Sequence, residues 1–498
     1  MPPNFASLPR GLPGTPDSAD RAPRALWMDP RLLAEHEFWA YAPGKIFLGT
    51  SGGHPVGIRD NRHLLTIAGS RAGKGTSAIL PNLLLYPGSV LVIDPKGENA
   101  TESAERRGEG RAIPAGGLGQ HVHVIDPFGV ADVDPRYRSG FNPLADLDPE
   151  ADDFIDECDA IADALVVPEP GKENDHWTAS ARLILRGVIA WVAAAPGVGT
   201  RNLLEVRRLL FLPAGVDEPG PFEIEFAKMI RTPSEEHLPL VAHGVPHEAA
   251  SALMAMSDRE RSGVLSTIRQ HIGFLSSPPM ARTLEGGDRQ PDLRAWKHGR
   301  TSVYLCLPAG RLHRHARFFR LFINRLLGAI EHDRTVPNVP ALMILDEMHV
   351  LGHMAALETA AGLVAGYGVR IWSIWQDLAQ LKAIYATRWE TFLGNASVFQ
   401  TFGLNDLSTL KYVSDRLGTA AMQVLSRGEI STDQLAGGFS GASASIQATP
   451  LLSPEEIAFY FSRQSGHQLI IYPGADPIFM DRLAYYEDFF MEVRPTHD

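Results

Sequence analysis

His63-Leu64-Leu65-Thr66-Ile67-Ala68-Gly69-Ser70-Arg71-Ala72-Gly73-Lys74-Gly75-Thr76 is the stretch that decides the fold. An apolar run of strand length passes into a glycine-rich turn, and an apolar helix begins at Thr76. Strand, loop and helix in that order have the form of a phosphate-binding P-loop. In such a loop, backbone N–H groups cradle phosphates at a helix N-terminus while a lysine pairs with the β and γ oxygens. The expected cradle is Gly69, Ser70, Arg71, Ala72, Gly73, Lys74, Gly75 and Thr76, with Lys74 as the charged partner. Two positions depart from the standard form. Ala68 replaces the first glycine, and Gly75 stands where Ser or Thr ordinarily holds magnesium. Thr76, one residue on, is then the candidate metal ligand, unless water takes that place. The bland alternative is a glycine-rich strand-to-helix turn with no ligand.

Working outward, Ala341-Leu342-Met343-Ile344-Leu345-Asp346-Glu347 is an apolar strand ending in two carboxylates, the Walker B form. Asp346, nearest the strand end, would orient the magnesium shell, and Glu347 would polarise a water for attack on the γ-phosphate. Gln376 closes the next strand, Val369 to Trp375, where an amide could sense that phosphate. Asp94-Pro95-Lys96-Gly97-Glu98 follows another strand, and reads either as a second contribution to this edge or as an ordinary Pro-Gly turn.

Further apolar runs at Val90 to Ile93, His121 to Ile125, Ser302 to Leu307, Ser397 to Phe402 and Gln468 to Tyr472 alternate with helical patterns. Uninterrupted Val/Ile/Leu runs of this kind predict an α/β fold, with a mostly parallel sheet covered on both faces and a site at its carboxyl edge. Between about Leu147 and Arg300 the strand signal fades. Helical periodicity at Asp153 to Val166, Ala179 to Ala194 and Arg259 to Leu275 predicts an inserted all-helical domain there. Gly437 to Ser445, rich in glycine, serine and alanine, reads as a linker or surface loop.

Composition bounds the rest. The 498 residues, 44% hydrophobic and 8% aromatic, describe a globular chain of more than one domain, not a disordered or fibrous one. Lys plus Arg number 46 against 58 Asp plus Glu, a net charge of −12, so any nucleic-acid contact must be local. The charge is indeed uneven. Ala145 to Leu165 holds nine acids and no Lys or Arg, whereas Arg259 to Arg325 holds 13 basic and four acidic residues. Within the latter, Arg311, Arg314, Arg317 and Arg320 repeat every third residue and are candidates for binding a DNA backbone; the alternative is a solvated helix back. Two cysteines exclude a disulfide framework and point to a reducing compartment. The 18 histidines show no H-E-x-x-H spacing, so magnesium is the only metal expected. The P-loop and Walker B forms make phosphate-ester hydrolysis the expected chemistry. No apolar run reaches membrane-spanning length, and the Pro-rich first residues lack a signal-peptide core, so a soluble chain is expected.

These residues resemble the TraG-type coupling proteins, the DNA-recruiting ATPases of conjugation and type IV secretion. The loop AGSRAGKGT is similar to that group's own P-loop variant, and VLVIDPKGEN at Val90 to Asn99 resembles its next signature. Phe141 to Leu144, His176 to Arg182, Leu342 to Gly352, and the ending from Leu452 to Asp488 look like further blocks, so that about residues 45 to 490 are covered. The resemblance implies a RecA-like P-loop NTPase domain built from residues 45–146 and 301–498, an all-α insertion over 147–300, and a flexible arm over 1–44. It also implies ATP and Mg2+ as ligands, with Lys74, Glu347 and Gln376 catalytic and Asp346 on the metal. Arg370, Arg388 and Arg416 are candidates for an arginine finger. The implied partners are single-stranded DNA carried with a relaxase, or protein substrates, and secretion-channel components. A homo-hexameric ring at the cytoplasmic face of the inner membrane is the implied working form. Relatives usually begin with transmembrane helices, and this chain does not. It is then expected either to dock on a separate membrane partner or to be a shortened form. Two further readings stay open at this point: a soluble DNA-pumping or helicase-like motor, and a nucleotide-gated cargo adaptor with negligible hydrolysis.

Overall fold

The computed structural model describes residues 25–168, 175–196, 198–230, 241–427 and 442–495. The chain divides into two compact units, Met1–Pro87 with Ile371–Arg494, and Gly88–Arg370 with Pro495–Asp498. The described strands are β1 (Ile46–Ser51), β2 (His54–Ile58), β3 (His63–Ala68), β4 (Val90–Asp94), β5 (His121–Ile125), β6 (Thr301–Cys306), β7 (Ala341–Leu345), β8 (Val369–Trp375), β9 (Ala396–Phe402), β10 (Thr419–Arg427), β11 (Ala442–Pro450), β12 (His467–Ile471) and β13 (Ile478–Asp481). Each predicted strand is present within a residue or two.

The first unit orders its strands β2-β1-β13-β12-β9-β3-β8, with β3 paired in parallel to β9 and β8. Every residue of β3 is buried, which explains why its sequence is uniformly apolar where a half-exposed strand would alternate. Register is set by a buried polar chain across the strands. Trp372 Nε1 donates to Thr66 Oγ1 (2.8 Å), Thr66 Oγ1 to Gln400 Oε1 (2.7 Å), Gln400 Nε2 to Gln468 Oε1 (2.6 Å), and Gln468 Nε2 to the Leu48 carbonyl (2.5 Å). A one-residue slip would leave these groups unpaired in the core, at a cost of about 1–3 kcal/mol each. The 25–44 part of the expected flexible arm is instead structured. It holds the helix Pro30–Glu35, and Leu33 and Trp39 are 1% and 0% exposed. Burying an aromatic and an aliphatic side chain is worth about 1.5–3 kcal/mol apiece, enough to hold this segment down. Residues 1–24 lie outside the described part. The glycine-rich stretch Gly437 to Ser445 lies partly outside it too, and from Ala442 it forms β11, paired antiparallel with β10.

The second unit orders its strands β7-β4-β6-β5, all parallel. Between β5 and β6 the described elements are helical, among them Phe154–Leu165, His176–Ala194, Val245–Ala255 and Asp258–Ile272. Asp175, Asn202 and Ser257 accept backbone N–H groups at helix starts, the capping that stops and starts these segments. The helix Leu312–His332 ties this segment to the strands: Asn324 Nδ2 donates to the Ala160 carbonyl (3.1 Å) and Arg325 bridges Asp146 (2.7 Å) and Glu157 (3.0 Å). That tie accounts for the helices of 147–300 grouping with β4 to β7 in one compact unit.

Candidate nucleotide-binding site

In the first unit β3 delivers the chain to Gly69, and a cradle follows. Arg71 and Gly73 take left-handed backbone angles (φ 57° and 93°), while Lys74 is already helical. Alternating hands of this kind turn successive N–H groups toward one point, an anion nest. Gly69 is required by close approach, since a Cβ there would lie 2.1 Å from the Gly403 carbonyl oxygen at the end of β9. Lys74 is buried at the start of a helix that opens with a wide turn, Gly75–Ile79, and continues as Leu80–Leu85. The Thr76 and Ser77 hydroxyls both donate to the Gly73 carbonyl, at 3.1 and 2.8 Å, bracing the turn and leaving the Thr76 oxygen lone pairs for a ligand. Around Gly75 a Cβ would meet nothing within 4 Å, so packing does not demand a glycine there.

The register Ile67↔Trp375 puts Gln376 alongside the entry to this loop, where its own N–H is held by Gln380 Oε1 at 3.2 Å. A residue that sequence reasoning missed completes the cradle. Arg482 donates to three carbonyls, those of Ala72 (2.5 Å), Arg463 (3.0 Å) and His467 (3.1 Å), and its guanidinium lies 4.5 Å from the Phe402 ring centre. Burial lowers its pKa from the ordinary arginine value. The Tyr485 N–H adds a bond to the Thr76 carbonyl at 2.9 Å. Arg71, Gly73, Thr76, Arg463 and Arg482 line a cavity of about 340 Å³, a size and charge suited to a chain of phosphates.

In the second unit β7 ends at Leu345, in register with Ile93 of β4, so Asp346 and Asp94 follow side by side. The Glu347 N–H donates to Asp346 Oδ1 (3.0 Å), and Glu347 itself adopts φ 55°, ψ 44°. A non-glycine residue held left-handed costs about 1 kcal/mol or more, and such strain is concentrated where a side chain must be aimed. Glu347 Oε2 is 3.3 Å from His349 Nδ1. Asp94 faces inward: its carboxylate accepts from the Ala100 N–H at 2.8 Å and so anchors the helix Glu98–Arg107. Burial, with Asp346 and Glu98 adding their charge, pushes its pKa up to about 7. Lys96 is exposed and lies 4.0 Å from Glu98.

A family model described as type IV secretory system conjugative DNA transfer matches residues 30–497. The chain belongs to that family. It is 26% identical to the conjugal transfer protein TraG of Agrobacterium fabrum over 454 residues, which cover 88% of this chain and 63% of that protein. To VirD4 of the same organism it is 26% identical over 443 residues, covering 86% of this chain and 59% of VirD4. It therefore spans about three fifths of the length of these relatives. The plasmid coupling protein TrwB, solved with the ATP analogue ADPNP, superposes with a TM-score of 0.63 at 15% identity over 93% of this chain and 94% of that one. The fold is thus the α/β, RecA-like one with a mostly parallel sheet that the resemblance implied.

Placed in this DNA-transfer family member, other expected residues separate. Arg370 is buried at 3% exposure. Arg416 lies 4.9 Å from the Phe399 ring centre and bonds Tyr412 Oη, and Arg388 alone of the three finger candidates is exposed. The arginine stripe is split. Arg320 is buried and bonds the carbonyls of Leu351 and His353, and Arg317 bonds the Leu165 carbonyl (3.0 Å) and His271 Nδ1 (2.9 Å). Neither is offered to DNA; Arg311 and Arg314 remain exposed. The acidic segment is also partly neutralised from within, Asp146 and Glu157 by Arg325 and Asp163 by Arg182. No helix among the described residues is long and apolar enough to cross a membrane.

Proposed function

We propose that this chain is an ATP-hydrolysing coupling protein that hands DNA–relaxase complexes or protein substrates to a type IV secretion channel. The observation that carries the reading is the cavity lined by Arg71, Arg463 and Arg482 beside the helix that Lys74 opens, in a member of the conjugative DNA-transfer family. Lys74 pairs phosphate oxygens, Gln376 reports on the γ-phosphate, and Glu347 takes the proton of the attacking water. The Asp346 carboxylate and the Thr76 hydroxyl are hard oxygen donors of the kind Mg2+ prefers. Bound there, the ion would neutralise charge on the phosphates. The relative TrwB was solved with ADPNP and with ADP and Mg2+, which supports the same ligands here. The working form is a homo-hexamer at the inner face of the inner membrane, acting on single-stranded DNA. Residues 147–300 form the cargo-facing insertion on the 45–146 and 301–498 NTPase body.

The test is steady-state ATPase activity with and without single-stranded DNA, with sizing in the same samples. Stimulated hydrolysis that rises with assembly is expected. Glu347→Gln should retain ATP and lose about 100-fold or more in turnover. Turnover near the wild-type rate in that variant would remove Glu347 from its role. ATP binding without hydrolysis in the unaltered chain would favour the gated-adaptor reading, which the open space at Gly75 makes specific.

A further inference from the structure

One cavity of the second unit is lined by none of the residues assigned above to the nucleotide. It encloses about 610 Å³ and is lined by Ser276, Ser277, Arg311, His313, Arg314 and His315 together with Gly273, Phe274 and Gly310, none of them acidic. Three features make it a built site and not a dent in the surface. Arg311 is held in place, its guanidinium 4.4 Å from the Phe128 ring centre, and neither Arg311 nor Arg314 has a carboxylate partner among the described residues. His315 is 3% exposed, packed against Phe128 and Phe274 (ring centres 5.2 and 6.3 Å apart), and its Nδ1 has no hydrogen-bond partner in the described structure. The 21-residue helix Leu312–His332 runs on from the turn Ala309–Arg311 with no side-chain cap and no acid in its first turn, so no carboxylate offsets its positive dipole end.

A buried imidazole nitrogen without a partner costs about 1–3 kcal/mol, and two guanidinium groups on one cavity without counter-charges repel each other. A ligand carrying negative oxygens relieves both. We propose that this cavity is a phosphate-binding seat, with Arg311 and Arg314 pairing the oxygens, Ser276 and Ser277 donating hydroxyls, and a backbone phosphate of single-stranded DNA as its occupant. Arg311, His313 and Arg314 in its lining are exposed, so the cavity opens to solvent where a strand could reach it. The choice of DNA as the source rests on the transfer function proposed above; the seat itself does not.

The experiment uses the full chain carrying Lys74→Ala, so that the P-loop does not contribute. Anisotropy of a labelled oligothymidylate is measured against salt, and thermal unfolding is followed with inorganic phosphate. Replacing Arg311 and Arg314 by Gln should weaken oligonucleotide binding about tenfold or more and flatten its salt slope by about 0.7 for each phosphate no longer paired. Replacing both by Lys, which keeps the charge, should restore most of the binding. Phosphate should raise the unfolding temperature of the parent chain and not that of the double Gln variant. If DNA fails to bind but phosphate still stabilises through these arginines, the seat stands with a free phosphate as its occupant and the DNA reading falls. Unchanged DNA affinity and salt slope in a folded Gln variant, or no phosphate stabilisation together with no DNA binding, overturns the seat.

Discussion

Arg320 donates from Nη1 to the carbonyl of Leu351 at 2.8 Å, and the same nitrogen reaches the His353 carbonyl at 2.6 Å. A guanidinium from the helix Leu312–His332 is thereby locked onto the segment that follows Asp346 and Glu347. Replacing Arg320 by Met leaves two inward carbonyls unpaired, and we expect a loss of about 2 kcal/mol in stability. Turnover should fall about tenfold, because Glu347 depends on this segment for its left-handed pose, while ATP affinity stays within about twofold. Urea melts and the split of kcat from KM check this. A folded Arg320→Met variant with full turnover would show that the loop needs no such anchor.

Gly69 and Gly75 should answer substitution in opposite ways. The Gly69→Ala methyl would sit 2.1 Å from a backbone oxygen that cannot rotate away, and we expect at least about 2 kcal/mol of destabilisation and loss of nucleotide binding. Gly75→Ser enters open space, and its stability should lie within about 0.5 kcal/mol of the parent. The added hydroxyl should lower the Mg2+ concentration at which nucleotide binding is half-maximal. A Mg2+ requirement identical to the parent's would mean that Thr76 or water already fills that ligand position.

Arg482→Lys should weaken nucleotide binding about tenfold, since an ammonium cannot serve three diverging carbonyls and stack on Phe402 at once. A fluorescent-nucleotide titration measures it. Wild-type affinity in Arg482→Lys would reduce Arg482 to one more surface cation.

His123 is 9% exposed, with Nδ1 2.9 Å from Ser139 Oγ, and burial beside Arg289 and His121 pushes its pKa down to about 4. Its unfolded value is about 6.5, so the unfolded chain binds the proton more tightly. Stability from this group is therefore complete above about pH 6.5 and is lost as pH falls toward 4, with about 2 kcal/mol gone by pH 5. Comparing urea midpoints of the parent and His123→Asn at pH 7 and pH 5 isolates this share of the slope. Equal slopes would mean that His123 is not the titrating group.

The stripe of arginines shows where reading in one dimension breaks down. A spacing of three on a helix of about 3.6 residues per turn drifts about 60° at each step, so Arg311 and Arg320 face opposite sides. The periodicity announced a basic helix, and only packing distinguished the exposed Arg311 and Arg314 from Arg320, which is spent on two carbonyls. The ribbon of β10 and β11 was hidden for a different reason. Ala442-Ser443-Ala444-Ser445 has no β-branched or aromatic residue to mark a strand, and the pairing supplies what propensity lacks.

The strands β3, β4 and β7, the cradle from Gly69 to Thr76, and the pair Asp346-Glu347 were legible in the sequence because each is local. A buried parallel strand must be apolar throughout, and a turn that receives phosphate must contain its own glycines and lysine. Arg482 stands 410 residues from the Ala72 carbonyl that it holds, and the Thr66, Gln400 and Gln468 chain joins three strands from distant parts of the sequence. No periodicity or motif records such partners. They are decided when strands far apart in the chain become neighbours, because a polar group carried into the core must then be satisfied by whatever the fold has placed beside it.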